Sequence, residues 1–194
     1  TTKEMIASIL GRGKQGLKSP GNFNNLIGLP LTVLDIEARH DWAVLEMGMS
    51  ALGEIARLCE IAAPQIGVLT NVGLAHTETL HGLEGVARAK GELFAALPRG
   101  GTAIVNIDDK RVRALPVANG VTKVFFGFSP EAQVRGEDIA SKDGTLQFRL
   151  FLPEGDWPVR LSVPGRHKVS NALAAAAAAR AAGARPEEIV RGLE

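Results

Sequence analysis

Three polar residues each stand at the end of a short apolar run, and each of these runs is predicted to be a buried strand. They are Glu46, Asn71 and Asn106. In open α/β sheets a ligand binds outside the carboxyl ends of the strands, so we expect these side chains to share one rim. A single polar residue at a strand end is an ordinary boundary between strand and loop. Three of them, with His76 and Lys90 close behind in the chain, favour a binding site.

Each of these residues also has a plainer interpretation. A lone loop histidine such as His76 is more often structural than a ligand, and Lys90 either contacts a phosphate or is simply solvated. Asn71 fits a turn as well as a ligand contact. Asn106 precedes two aspartates and is a plausible helix N-cap, so that a nucleotide contact is the less favoured interpretation.

Two other groups of residues have candidate roles. His167 and Asn171 are four residues apart and therefore lie on one face of a predicted helix. Asn22, Asn24 and Asn25 belong to a loop rich in glycine and asparagine. They either bind substrate or phosphate, or form turns, for which asparagine is well suited.

Short apolar runs alternate with helical patterns along most of the chain. Strands are predicted at residues 42–46, 66–70, 102–106 and 124–127, and helices at 2–10, 52–62, 83–97, 109–115, 167–182 and 186–193. The alternation predicts an α/β fold, a mostly parallel sheet with helices on both faces. Residues 145–152 and 157–163 alternate with a period of two, which predicts a small antiparallel β unit near residues 130–165.

Composition narrows the class of protein. The 22 basic and 21 acidic residues nearly cancel, and no basic block is present, which disfavours binding to nucleic acid. The longest apolar stretch is too short to span a membrane. The single cysteine, Cys59, cannot form an internal disulfide, which is consistent with a cytoplasmic protein.

One segment matches the dinucleotide-binding fingerprint in sequence but not in its predicted structural context. Gly11, Gly13 and Gly16 match the dinucleotide fingerprint GxGxxG, and Asp35 lies at a plausible distance for a ribose contact. That fingerprint must leave a strand and open a helix, whereas here it leaves a helical pattern and enters a loop. We therefore reject the dinucleotide interpretation. No Walker A sequence is present in the 194 residues either.

Several motifs in order resemble those of the Mur ligases, a family of ATP-dependent amide-bond ligases. They are TTKEM (1–5), NFNNLIGLPL (22–31), LEMG (45–48), TNVGLAH (70–76), AKGELF (89–94) and GRHKVSNAL (165–173). TNVGLAH and AKGELF are similar to segments found throughout the family. TTKEM and the asparagine-rich loop resemble the branch that adds D-alanyl-D-alanine to UDP-N-acetylmuramoyl-tripeptide.

The resemblance implies a central ATP-binding domain with a P-loop NTPase-like fold over residues 1–194, and ATP and Mg²⁺ as cofactors. It also implies amide-bond formation in peptidoglycan precursor synthesis through an acyl phosphate. By resemblance Glu46 and His76 bind Mg²⁺, and Lys90 carries CO₂ as a carbamate that approaches the metal. The resemblance also places Asn71, His167, Asn171 and, less directly, Asn106 at ATP, and Asn22, Asn24 and Asn25 at substrate.

The sequence departs from the family pattern in two ways. Lys168 stands where the family usually has asparagine, which puts one adenine contact in doubt. The resemblance also implies that the P-loop lies just before Thr1, and that the N-terminal UDP-binding domain and the C-terminal domain are not in this chain. Two alternatives remain: a sister ligase that adds another amino acid or glutamate, and a non-catalytic nucleotide-fold module.

Overall fold

The computed structural model describes residues 1–75, 77–142, 144–162 and 165–194. The helices are α1 (Thr2–Leu10), α2 (Gly28–Leu34), α3 (Glu54–Ala62), α4 (Leu83–Ala95), α5 (Lys110–Ala114), α6 (Arg166–Ala181) and α7 (Pro186–Leu193). The strands are β1 (Gly16–Lys18), β2 (Trp42–Val44), β3 (Ile66–Leu69), β4 (Thr102–Asn106), β5 (Thr122–Gly127), β6 (Val134–Lys142), β7 (Thr145–Leu152) and β8 (Gly155–Leu161). None of the described helices is long and apolar enough to cross a membrane.

Six strands form one sheet in the order β3-β4-β5-β6-β7-β8. The pairings from β3 to β6 are parallel, and those from β6 to β8 are antiparallel. Strands β1 and β2 pair with each other, in parallel, as a separate two-stranded sheet. The predicted α/β fold with a mostly parallel sheet is confirmed.

Helices cover both faces of the parallel strands, as predicted. Along β4, Ile104 packs in a cluster with α1, α6 and α7, while its neighbours Ala103 and Val105 pack in another with α4 and α5. Successive side chains of a strand point to opposite faces, so this division places one helical layer on each side. The three central residues of β4, Ala103 to Val105, are all apolar, as burial on both faces requires.

Helix α6 lies at the centre of the larger hydrophobic cluster. Its alanines from 174 to 179 are all buried, and α1 packs along it. Short side chains let other elements approach its backbone closely. The contact between α7 and α1 is equally close, because a Cβ on Gly192 would lie 2.4 Å from the Cα of Ile9.

The structure corrects the sequence predictions in three places. Helix α2 and strands β1 and β6 were not predicted. The antiparallel hairpin does not stand apart, since β6 joins it to the parallel strands within one sheet. Its last strand also begins at Gly155 rather than at residue 157, so that only Pro153 and Glu154 connect β7 to β8.

Candidate active site

The first turn of α1 places a buried cation beside Glu46. The residue Lys3 is only 9% exposed, and its Nζ donates hydrogen bonds to the carbonyl oxygens of Ser19 (2.7 Å) and Gly21 (2.8 Å). The same Nζ lies 3.6 Å from Glu46 Oε2. Lys3 therefore fixes the loop that follows β1 and supplies positive charge next to the carboxylate.

Glu46 lies two residues after β2 and is held from two further directions. Its backbone N–H donates to Ser19 Oγ at 3.0 Å, and its Oε1 accepts a hydrogen bond from Asn24 Nδ2 at 3.1 Å. The side chain nevertheless remains 40% exposed. An oriented and accessible carboxylate is the kind of oxygen ligand that Mg²⁺ prefers.

The three asparagines of the following loop have different surroundings. Only Asn24 contacts Glu46. Asn25 Oδ1 accepts hydrogen bonds from the backbone N–H groups of Ile27 (3.1 Å) and Gly28 (2.9 Å), so it stabilises the start of α2. Asn22 is exposed, and its carbonyl oxygen accepts a bond from the Asn24 N–H. For Asn25 the turn-forming alternative therefore describes the structure.

A second group of polar residues lies at the carboxyl ends of β3 and β4. These strands are parallel neighbours with Leu69 opposite Val105, so Thr70 adjoins Asn106. Asn106 is buried, and its Nδ2 donates to the Thr70 carbonyl oxygen at 2.6 Å. The expectation that Asn71 and Asn106 lie at one edge is thereby confirmed.

Asp109, rather than Asn106, caps the helix that follows β4. Its Oδ1 accepts from the N–H groups of Arg111 and Val112 at the start of α5. Its Oδ2 accepts from the Val72 N–H at 2.7 Å, which ties α5 to the loop after β3. The N-cap interpretation of Asn106 was wrong, because its Oδ1 accepts from the Asp108 N–H before the helix begins.

Lys90 projects from α4 onto the same loop. Its Nζ donates a hydrogen bond to the Asn71 carbonyl oxygen at 2.6 Å. Burial lowers the pKa of Lys90 below its ordinary value, and the nearby Asp109 carboxylate opposes that shift. Desolvation therefore favours the neutral amine, which is the form that can take up CO₂.

The N-terminus of α6 lies against the start of α1. Thr2 Oγ1 donates to Asn171 Oδ1 at 3.2 Å, and Lys168 Nζ donates to Thr1 Oγ1 at 3.3 Å. His167 is exposed one turn before Asn171. Asn171 and Lys168 of α6 therefore contact the first two residues of the chain, next to Lys3, which pairs with Glu46.

Glu46 does not share a continuous sheet with Asn71 and Asn106, which corrects the expectation of one rim. Strand β2 pairs with β1 alone in the described residues, and β3 is the edge strand of the larger sheet. The loops are connected instead by packing, because Leu45, Met47 and Val72 all pack against one hydrophobic cluster that includes Ala89.

Two of the residues predicted to bind Mg²⁺ are Glu46 and His76, and only Glu46 is among the described residues. His76 lies outside the described residues. Among the described residues, no three histidine, cysteine or acidic side chains converge as a ready metal cage. A Mg²⁺ ion needs few protein ligands, because it usually retains several waters and binds substrate phosphates, so Glu46 fits such a site without a cage.

An open groove of about 650 Å³ lies elsewhere and does not contain these residues. Its lining includes Ser8, Gly11, Lys14, Gly16 and Trp42, from the later part of α1 and the beginnings of β1 and β2. The rejected GxGxxG segment forms part of this groove, and it leaves helix α1 rather than a strand. The polar groups described above, not this groove, therefore define the candidate site.

Comparison with known proteins identifies the family. The model of the Mur ligase middle domain matches residues 1–179. The chain belongs to the Mur ligase family.

The most informative relatives are MurF enzymes. The whole chain is 39% identical to 43% of UDP-N-acetylmuramoyl-tripeptide–D-alanyl-D-alanine ligase from Escherichia coli, and 38% identical to 41% of the Bacillus subtilis enzyme of the same name. A crystal structure of MurF from Acinetobacter baumannii superposes on the whole chain with a TM-score of 0.93, at 36% identity over 42% of that protein. MurF from Thermotoga maritima in complex with ADP matches 97% of the chain, and 44% of its own, with a TM-score of 0.86 at 28% identity. The chain thus spans about two fifths of the length of these relatives.

Sequence reasoning missed three residues that organise this Mur ligase site. Lys3 and Ser19 carry no local signal, because their contacts with Glu46 bridge separate parts of the chain. Asp109 could have been found, since an aspartate immediately before a helical pattern is a typical N-cap. Glu92, which lies in the AKGELF motif, accepts hydrogen bonds from the N–H groups of Gly53 and Ala56 and so caps α3.

Proposed function

We propose that the protein is an ATP-dependent ligase that joins D-alanyl-D-alanine to UDP-N-acetylmuramoyl-tripeptide in the cytoplasm. The observation that carries this proposal is the similarity of the entire chain to MurF enzymes, at 39% identity to the Escherichia coli relative. The complex of the Thermotoga maritima relative with ADP supports ATP as the nucleotide. Residues 1–194 are then the central domain, without the N-terminal UDP-binding and C-terminal domains.

The reaction that follows from this proposal has two steps. A substrate carboxylate oxygen forms a bond to the γ-phosphorus of ATP, and the bond between that phosphorus and ADP breaks. The amine of D-alanyl-D-alanine then bonds to the carbonyl carbon of the acyl phosphate, loses a proton, and phosphate leaves. Both steps gather negative charge, which bound Mg²⁺ would neutralise.

The residues of this chain divide that work between two groups. Glu46 offers its carboxylate to Mg²⁺, while Asn24 and Lys3 hold it in one orientation. We assign His76 to a second metal position on the resemblance alone. Lys90, whose burial favours the neutral amine, is proposed to carry CO₂ and so to present oxygen instead of positive charge.

The nucleotide and the second substrate are assigned from the remaining residues. We propose that ATP lies between the N-terminus of α6, with His167 and Asn171, and the loop of Asn71. Asn106 stabilises the start of that loop through its hydrogen bond to the Thr70 carbonyl oxygen. On the family resemblance, the P-loop is proposed to precede Thr1. Thr1 and Thr2 contact α6, and the next residue, Lys3, pairs with Glu46. On the family resemblance, we assign Asn22 and Asn24 to contacts with the substrate.

The test uses the complete ligase, which contains this chain as its middle domain. Incubated with ATP, Mg²⁺, UDP-N-acetylmuramoyl-tripeptide and D-alanyl-D-alanine, it should form the tripeptide–dipeptide amide, identified by mass spectrometry, with one phosphate released per product. Parallel reactions offer single amino acids with the UDP precursors, or glutamate with folate. Product in one of those reactions and not in the first would contradict the proposal, as would no product in any.

A further inference from the structure

Helix α2 is apolar on both of its faces, although only one of them is buried. Leu29 and Thr32 are buried against the hydrophobic cluster that α2 shares with α3. On the opposite side Ile27, Leu31 and Leu34 are 74%, 51% and 79% exposed. Their spacing of four and three residues aligns them in one stripe along the helix. A helix that is apolar all round is typical of one covered on both sides.

The exposed stripe is part of a larger apolar surface. We call it the α2 face, and it consists of Phe23, Leu26, Ile27, Leu31, Leu34 and Ile36. From their fractional exposures these six residues present on the order of 600 Å², at the upper end of the largest apolar patches on typical monomers. Scattered exposed hydrophobic residues need no explanation, but these six lie close together in the chain, and an apolar surface of this size is often functional.

The size of the α2 face favours a tethered partner. Stable association of separate proteins usually buries about 800 Å² on each partner, whereas interfaces between domains of one chain are satisfied by less. A domain connected by a short linker also has a high effective concentration, which compensates for a small interface. The chain spans about two fifths of the length of its MurF relatives, so such proteins contain further polypeptide that could supply the partner.

The position of the chain's first residues indicates which polypeptide docks. Lys3, in the first turn of α1, donates a hydrogen bond to the carbonyl oxygen of Gly21, two residues before the α2 face begins. The C-terminal helix α7 instead packs near Ile9, at the other end of α1. Polypeptide that precedes Thr1, which begins with the proposed P-loop, therefore joins the chain at the end of α1 that contacts the loop before the α2 face, whereas polypeptide that follows Glu194 joins it near the other end.

We propose that the α2 face is the docking surface for the domain that precedes Thr1 in the complete ligase. The same docking would reach the candidate site. A Cβ on Gly28 would lie 2.6 Å from the Cα of Phe23, so the start of α2 packs tightly against the loop that contains Asn24. Covering the α2 face thereby steadies Asn24 and its hydrogen bond to Glu46, and excludes water from one side of the site. This inference rests on the family and on surface composition, not on the proposed reaction.

Cysteine labelling tests whether the face is covered. Leu34→Cys is introduced into the 194-residue chain and into the complete ligase, and a maleimide reagent is added without nucleotide or substrate. We expect labelling to be roughly tenfold slower or more in the complete ligase, because an interface must open before reagent can enter. The native Cys59 does not interfere, since it is buried and burial raises its pKa to about 11.

Two further variants control the labelling experiment. Ala182→Cys, exposed at the end of α6, should label at the same rate in both proteins. Leu31→Cys repeats the measurement at a second position of the stripe. Equal rates for Leu34→Cys and Leu31→Cys in the two proteins would overturn the proposal. Because the assay requires no turnover, its failure is distinguishable from failure of the ligase reaction.

Photo-crosslinking tests which polypeptide provides the cover. Benzoylphenylalanine replaces Asp35, an exposed residue at the rim of the α2 face, in the complete ligase. We expect crosslinked peptides from the segment before Thr1. Crosslinks confined to the segment after Glu194, or a covalent dimer formed through a second copy, would overturn the assignment.

Discussion

Lys90 is subject to two opposing influences. Burial lowers its pKa, and the Asp109 carboxylate raises it. The Asn71 carbonyl oxygen accepts a hydrogen bond from its Nζ and fixes its position over the loop after β3. Because burial has the larger effect, the pKa of Lys90 is lowered overall, which makes the neutral amine that carbamate formation requires easier to reach than in water.

Substitution of Lys90 distinguishes a carbamate from a simple cation. In the complete ligase, Lys90→Ala should lower phosphate release by about 100-fold or more, and a short-chain carboxylic acid should partly restore it by placing a carboxylate in the vacated space. Lys90→Arg should stay inactive, because guanidinium keeps its charge and does not take up CO₂. Activity of Lys90→Arg together with no effect of added acid would show that Lys90 acts only as a cation.

At the scale of single residues, the sequence predicted the participants better than their contacts. Glu46 and Lys90 could be chosen because their motifs resemble those of the family. The pairing of Glu46 with Lys3 and Asn24 could not, because it depends on how α1 and two loops fold together. His76 lies outside the described residues, and its metal role stays a prediction.

Among the elements, α3 depends on a carboxylate from a different helix. Glu92 of α4 accepts hydrogen bonds from the N–H groups of Gly53 (2.7 Å) and Ala56 (3.0 Å), at the start of α3. The first N–H groups of a helix have no partner within it, so this cap fastens α3 to α4. The loop from Glu46 to α3 is held at its far end by the same contact.

Removal of this cap should destabilise the fold. We expect Glu92→Ala to lower the free energy of unfolding of the 194-residue chain by about 1–2 kcal/mol, because two backbone donors lose their acceptor. Urea denaturation followed by circular dichroism measures the change. Glu60→Ala is the matched control, since this exposed carboxylate pairs with the exposed Arg57 one turn earlier on the same helix. Equal midpoints for the two variants would contradict the role of Glu92.

The elements that the sequence predicted are those with strong periodicity. Strand β3 and the centre of β4 are short apolar runs, and in β7 every second residue is buried while those between are more exposed. Strand β6, with the sequence VRGEDIASK, has neither pattern and is interrupted by an irregularity between Glu137 and Ala140. Helix α2 was missed because it contains Pro30 and is apolar on both faces, so it shows no amphipathic period.

At the scale of the whole molecule, we propose that the 194 residues contain only part of the nucleotide site. No Walker A sequence is present in them, and such a loop supplies most of the backbone N–H groups that bind phosphates. We expect the 194-residue chain alone to show no ATPase activity and at most weak ATP affinity. Calorimetry that gives an ATP dissociation constant of roughly 1 μM or below for this chain would contradict the expectation.

We propose above all that the Glu46 carboxylate binds the Mg²⁺ on which the ligase reaction of the complete protein depends. The most direct test compares Glu46→Gln with the unmodified ligase in phosphate release, with ATP, Mg²⁺ and both substrates present. Glutamine retains an oxygen for the Asn24 hydrogen bond but removes the negative charge, so the fold should persist while turnover falls by about 100-fold or more.

Glu60→Gln, which removes an exposed carboxylate on α3, controls for loss of charge alone and should turn over normally. We expect that only Glu46→Gln is impaired, and that product and phosphate fall together. Turnover by Glu46→Gln within about twofold of the unmodified ligase would contradict it.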